Sequence, residues 1–221
     1  MGSVDSAPIG GEVEIRARDD GGRTLAGSFP YGRTATRRDR GRVRKEQFGP
    51  HAFSWRMRQW AELQREAAEA LQGAVDEARR QVIEDQLLRA DIHVLRGHDF
   101  DMPLGSLSAG TARIWDDAAA VRFEVDLPDD NDAPSWVSDT IKAVQSKLAT
   151  GVSPGFRIPP RAVVADAEAL VPEDGNPGVF VRLIRQASLY ELSIVTRPHY
   201  GGTDVDVRDY IERPARRRWW V

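Results

Sequence analysis

The chain has 221 residues, no cysteine and a formal net charge of −3 at pH 7, a length that favours one domain with tails. Its 41% hydrophobic and 29% charged content is typical of a folded, water-soluble domain rather than of a disordered chain. The missing cysteines exclude disulfides, thiolate nucleophiles and cysteine-ligated metals, and the slight negative charge argues against general nucleic-acid binding.

Candidate strands occur along the whole chain and are interrupted by two helical stretches. Residues 1–11 are small and polar and lack the basic start and apolar core of a signal peptide, so we expect a disordered tail there. No window approaches the roughly 18 consecutive apolar residues of a membrane span. Short apolar or alternating runs bounded by turn residues predict strands over 12–17, 24–30, 42–47, 90–95, 112–115, 121–127, 151–158, 179–187 and 189–196.

The two helical stretches have apolar residues at three- and four-residue steps, the spacing of an amphipathic helix. Residues 51–89 form the longer one, either as one helix or as two helices broken near Gly73. Residues 134–148 form the second, with Asp132 as its N-terminal cap. We expect the apolar stripe of 51–89 to pack against the protein's own strands.

The order of the elements predicts the fold class. Two pairs of strands look like hairpins, 112–115 with 121–127 and 179–187 with 189–196. Residues 159–177 are rich in proline, aspartate and glycine, which predicts a surface loop. Little room is left for parallel crossover units, so we expect an α+β, mainly β protein. Its architecture would be a mostly antiparallel barrel or sandwich with surrounding helices.

The segment Gly151-Val-Ser-Pro-Gly-Phe156 formally matches G-x-S-x-G, the nucleophile elbow of hydrolases. Pro154 argues against an elbow, because it holds Ser153 in an extended conformation and lacks the N–H that an elbow uses for its oxyanion hole. Ser153 is therefore predicted to lie in a strand, with Gly155 and Arg157 on its face and apolar residues on the core face. By this pattern alone, Ser153 is either a nucleophile or a strand serine between two glycines.

A nucleophilic serine needs a base, and the chain has four histidines. His98, in Leu95-Arg-Gly-His-Asp-Phe100, follows an apolar strand, where a strand end presents a side chain to a cleft. His93 lies within that strand and His51 opens the long helical segment, so both have structural interpretations. The aspartates beside His98 are typical of a solvated loop, and we expect no metal and no cofactor.

Together these segments resemble the prohead (capsid maturation) protease family of tailed bacteriophages, which is related to the herpesvirus assembly proteases. The motifs are the strand ending in His98-Asp, a hairpin, an amphipathic helix, the Gly-x-Ser-x-Gly-Phe strand and the closing Leu189-Tyr-Glu-Leu-Ser-Ile-Val-Thr-x-Pro. The likeness begins at Leu25-Ala-Gly-Ser-Phe and Glu46-Gln-Phe-Gly-Pro-His-Ala-Phe and ends near Thr203. We therefore expect one prohead-protease-like domain over 12–203, followed by an Arg/Trp-rich tail over 204–221.

The resemblance implies an assemblin-like, mostly antiparallel β-barrel that acts as a serine endopeptidase. It identifies Ser153 as the nucleophile, His98 as the base and Glu191 as the third member. His199 is a rival for the third position, because the herpesvirus relatives use a second histidine there. Periodicity is compatible with Glu191, which alternates with the apolar residues of its strand and so shares the outward face.

The source of the oxyanion hole is left open by the sequence. Pro154 stands where the family commonly has a bulky apolar residue and removes one backbone donor. Gly155, through its N–H, and Arg157 are the candidates for contacts with the oxyanion or the substrate.

The resemblance also implies partners and a location. The enzyme would act inside the procapsid, in the cytoplasm of an infected or lysogenic bacterium, and would cleave the scaffold region of the major capsid protein and itself. Self-association is left open, and no membrane partner is expected. The alternatives are a non-catalytic protease-fold scaffold or assembly chaperone that uses the stripe of 51–89, and nucleic-acid binding through arginine runs that are more often solvated loops.

Overall fold

The computed structural model describes residues 13–18, 22–39, 42–72, 76–128 and 133–196. The predicted tails 1–11 and 204–221, the cap Asp132 and the rival His199 lie outside these ranges. The described elements are β1 (Val13–Ala17), β2 (Arg23–Pro30), β3 (Thr34–Asp39), β4 (Arg42–Phe48), α1 (Ser54–Gln72), α2 (Glu77–Ala90), β5 (His93–Arg96), β6 (Asp99–Ser106), β7 (Ala112–Asp116), β8 (Ala120–Leu127), α3 (Ser135–Gln145), β9 (Gly151–Arg157), β10 (Glu168–Pro172), β11 (Phe180–Ile184) and β12 (Ser188–Val195).

The described strands form three four-stranded sheets, in the orders β1-β2-β8-β7, β10-β11-β4-β3 and β6-β5-β12-β9. Pairing is antiparallel except between β4 and β11 and between β5 and β12. The predicted α+β class and mostly antiparallel pairing are confirmed. The described strands do not form the predicted closed barrel. Each sheet has two edge strands, and the sheets contact one another through side chains.

One hydrophobic core is shared by the three sheets. In β8, buried Val121, Phe123, Val125 and Leu127 alternate with more exposed positions, as expected for a strand with one face inward. Aromatic rings link the sheets, since Phe48 of β4 lies 4.9 Å from the ring of Phe156 in β9, edge to face. This geometry is the favourable one for aromatic pairs, and it fixes β9 against the second sheet.

The segment 51–89 forms two helices, one of the two alternatives that the sequence allowed. Asp76 caps α2 by accepting a hydrogen bond from the Arg79 N–H at 2.8 Å. The Arg56 guanidinium, in the first turn of α1, donates to the Arg89 carbonyl at the end of α2 (3.3 Å). The two helices therefore lie antiparallel to each other.

One predicted hairpin is confirmed and the other is wrong. β7 and β8 pair directly as an antiparallel hairpin. β11 and β12, in contrast, belong to different sheets. The link between them is tied down elsewhere, because Arg185 and Gln186 donate their N–H groups to the Ala167 carbonyl and Ala187 donates to the Ala52 carbonyl. These hydrogen bonds fix the segment that connects β11 in one sheet with β12 in another.

Sequence reasoning missed β3, β6 and β10, and all three are edge strands of their sheets. Edge strands bury little surface, so they need no continuous apolar run and tolerate charge and proline. β10 lies within the predicted surface loop 159–177, which is therefore only partly a loop. The predicted second helix is confirmed as α3, although it ends at Gln145 and Leu148 is exposed.

Candidate active site

β12 is the central strand of the site because it lies between β5 and β9 in the third sheet. In its antiparallel pairing with β9, Ser193 lies opposite Ser153 and Glu191 lies opposite Gly155. Directly opposite residues of an antiparallel pair project from the same face of a sheet. Ser153, Ser193 and Glu191 therefore share one face, as the periodicity of each strand predicts. The expectation that this face is outward is wrong, because none of the three residues is more than 3% exposed.

His98 is brought to this face by the tight turn between β5 and β6. Gly97 and His98 have positive φ values of 65° and 63°, and Arg96 pairs with Asp99 across the turn. Positive φ at both central residues defines a type I′ hairpin turn, whose twist matches that of the strands. The turn is held against β12, because Gly97 donates its N–H to the Ile194 carbonyl at 3.0 Å.

The His98 imidazole is hydrogen-bonded to a nearly buried carboxylate. Nδ1 of His98 lies 2.7 Å from Oε1 of Glu191, whose side chain is 4% exposed, whereas that of His98 is 41% exposed. A carboxylate only accepts hydrogen bonds, so in the neutral imidazole Nδ1 carries the proton and Nε2 has the lone pair. The hydrogen bond to Glu191 raises the pKa of His98 above its usual value, aided by the charge of Glu191 and opposed by partial burial.

Gly155 provides the space that the Glu191 side chain occupies. A Cβ atom on Gly155 would lie 2.0 Å from Oε1 of Glu191 and less than 3 Å from two further atoms of the same side chain. Any larger residue would displace the carboxylate. Gly155 therefore has a steric function in the structure, and the predicted oxyanion contact of its N–H stays a prediction.

Ser153 and His98 line the same cleft, which has a volume of about 470 Å³. Ser153 is 3% exposed, and its hydroxyl forms no hydrogen bond with His98 within the described part of the chain. Catalytic hydrogen bonds are often long in a free enzyme and tighten in the substrate complex. The far wall comes from the second sheet, where Ala35, Glu46 and Arg182 form a row across three paired strands.

Pro154 fits this site for a local reason. β9 is an edge strand of its sheet, and proline is tolerated at such positions when its missing N–H does not belong to a ladder. Pro154 also keeps Ser153 extended, which agrees with the strand location and not with an elbow. Arg157, at the end of the strand, lines the cleft, and its guanidinium lies 5.3 Å from the centre of the Tyr190 ring.

The other two described histidines, His93 and His51, do not line the cleft. Nε2 of His93 is 3.5 Å from Oδ2 of Asp91, and its ring packs against Phe100. His51 precedes α1 with a positive φ of 57°, beside the buried Asp116. No group of three or more histidine, aspartate or glutamate side chains suited to a metal occurs among the described residues.

Sequence reasoning missed the part that Ser193 plays in this arrangement. Its hydroxyl donates to Oε2 of Glu191 at 2.5 Å and accepts the backbone N–H of His98 at 2.9 Å. The alternation Glu191-Leu-Ser193 places both residues on one face, and that signal was present in the sequence. The contact with His98 depends on the turn, which the sequence pattern did not reveal.

An imidazole that is oriented by a carboxylate and shares a cleft with a strand serine is compatible with serine hydrolase chemistry. Residues 54–215, well over half of the chain, match the family described as Caudovirus prohead serine protease. The chain belongs to this family and is a serine peptidase of phage prohead maturation, as the order of its motifs predicted. The match does not extend to the Leu25 and Glu46 segments, where the sequence analysis placed the start of the likeness.

No curated protein and no solved structure matches the chain. Among the described residues, no helix is long and apolar enough to cross a bilayer.

Proposed function

We propose that Ser153, His98 and Glu191 form the catalytic triad of an endopeptidase. The observation that carries the proposal is the 2.7 Å contact between His98 and Glu191, next to a cleft that Ser153 also lines. The imidazole Nε2 accepts the Ser153 proton as Oγ attacks the scissile carbonyl carbon, and Glu191 stabilises the imidazolium that forms. His98 then protonates the leaving amine, and water hydrolyses the acyl-enzyme.

The electrostatics of the site support these roles. Glu191 is nearly buried, so its interaction with His98 is screened less by solvent than that of a surface pair. His98 is partly exposed to the cleft, which leaves Nε2 accessible to a substrate. Because the pKa of His98 is raised, we expect the acidic limb of the kcat/KM profile to have its midpoint above the pKa of an isolated imidazole.

The biological substrate that we propose is the scaffold region of the major capsid protein, together with this chain itself. Cleavage would take place inside the procapsid, in the cytoplasm of the host bacterium. Prohead maturation is the process to which the family belongs, and this membership supports the proposal. The first experiment tests this substrate and the proposed triad together.

The first experiment is co-expression of the chain with the major capsid protein of its phage, followed by mass-spectrometric mapping of all new termini. We expect defined cleavage by the wild type and a fall of about 10³-fold or more in rate for S153A and for H98A. Wild-type cleavage by S153A would contradict the proposal. A wild type that leaves the capsid protein intact would contradict the proposed substrate.

H93A is the matched control for H98A. His93 pairs with Glu191 across β5 and β12, but its imidazole contacts Asp91 and Phe100 and forms no hydrogen bond with Glu191 among the described residues. We expect H93A to keep most of the cleavage activity. A loss as large as that of H98A would show that general damage to β5, rather than loss of a base, explains the effect.

A further inference from the structure

Ser193 is a polar side chain that the proposed triad does not use. It has no solvent exposure, and it lies between two members of that triad, Glu191 and His98. A buried hydroxyl without partners is costly, so its two hydrogen bonds account for its presence in the interior. They do not explain why both partners belong to one site.

The two hydrogen bonds use the Ser193 hydroxyl in opposite senses. Its single proton goes to Oε2 of Glu191, and its oxygen accepts the N–H of His98. The other carboxylate oxygen of Glu191 is the one that contacts the His98 imidazole. Both oxygens of the carboxylate are therefore held, which fixes the rotation of the group about its last bond.

The backbone contact acts on the other partner. His98 is a central residue of a type I′ turn, and its N–H would lack this acceptor if the hydroxyl were absent. Ser193 thus ties the turn to β12 at the residue whose side chain enters the cleft. One oxygen atom sets the position of the imidazole and the orientation of the carboxylate.

We infer that Ser193 is a positioning residue that holds the Glu191 carboxylate and the His98 imidazole in their relative positions. Its importance for turnover depends on the triad proposed above. Its effect on His98 does not, because the hydrogen bonds exist in the free protein.

The experiment is an NMR titration of the His98 imidazole in the full chain, with its resonances assigned by comparison with H98A. In S193A the carboxylate is free to turn and the turn loses its anchor, so the bond that raises the pKa weakens. We expect the pKa of His98 to fall by about 0.5–1 unit and kcat to fall by about tenfold, with KM little changed.

S188A is the matched control. Ser188 is a buried serine of the same strand, and within the described residues its hydroxyl contacts neither Glu191 nor His98. We expect the pKa of His98 in S188A to stay within about 0.2 units of the wild-type value. If S193A does not fold, S193C is titrated instead, because a thiol is a weak donor of nearly the same shape and should lower the pKa as well.

The outcomes separate this inference from the proposed function. An unchanged or higher pKa of His98 in S193A, or an equal fall in S188A, overturns the role of Ser193 even if the wild type is an active peptidase. A fall confined to position 193 supports it, even if the wild type does not cleave the capsid protein.

Discussion

The contact between Gly155 and Glu191 predicts a large effect from a single added methyl group. In G155A the new Cβ would lie 2.0 Å from Oε1 of Glu191. The carboxylate would have to retreat by about 1.4 Å to reach the 3.4 Å of ordinary van der Waals contact. It cannot do so and keep its 2.7 Å contact with His98 and its 2.5 Å contact with Ser193.

The expected loss follows from this displacement. A shift of about 1 Å at a catalytic group costs roughly 100-fold in rate, so we expect kcat of G155A to fall about 100-fold. Overpacking of this kind costs about 1–3 kcal/mol of stability, and at roughly 2–4 °C per kcal/mol for a domain of this size Tm should fall by several degrees.

The assays are cleavage of the capsid protein under single-turnover conditions and thermal unfolding. G49A is the matched control, because a Cβ on Gly49 would meet its nearest atoms at 3.5 and 3.6 Å, which is ordinary contact. In the E191A background the G155A substitution should lower Tm by less than it does in the wild type, because the side chain that clashes is absent, and the double variant should stay inactive. Wild-type rate and Tm in G155A would refute the reasoning.

Two further predictions concern titratable groups. E191Q should lower the maximal rate by at least 100-fold and move the acidic limb of the kcat/KM profile to lower pH, because the hydrogen bond to a charged carboxylate, which raises the pKa of His98, is lost. An unmoved limb would contradict this. Y31F removes the hydroxyl that donates a hydrogen bond to Asp116. Burial already raises the pKa of this carboxyl group. The ionised Asp116 then lacks this donor, so Y31F should lower the free energy of unfolding in urea by about 1–3 kcal/mol, and by more at pH 8 than at pH 5. A loss of stability that does not grow with pH would contradict this prediction.

The features that sequence reasoning found depend on local patterns. The alternation around Ser153 and Glu191 predicted which face each side chain takes, because the period of a strand is two residues regardless of its neighbours. Pro154 excluded the elbow for an equally local reason, its fixed backbone angle and missing N–H. The pairing of β11 with β12 was wrong because adjacency in sequence favours a hairpin, whereas the partner of a strand is chosen by burial across the whole core.

The amino-acid sequence by itself determined the strand character of the Ser153 segment, the candidates His98 and Glu191, and the family to which the chain belongs. Only the tertiary structure decided that β12 lies between β5 and β9, that Gly155 makes room for the Glu191 carboxylate, and that Ser193 joins this carboxylate to the turn. The physical reason is the range of the interactions. Backbone preferences and side-chain alternation act over a few residues, whereas the site is assembled by hydrogen bonds between segments that are more than ninety residues apart in the chain.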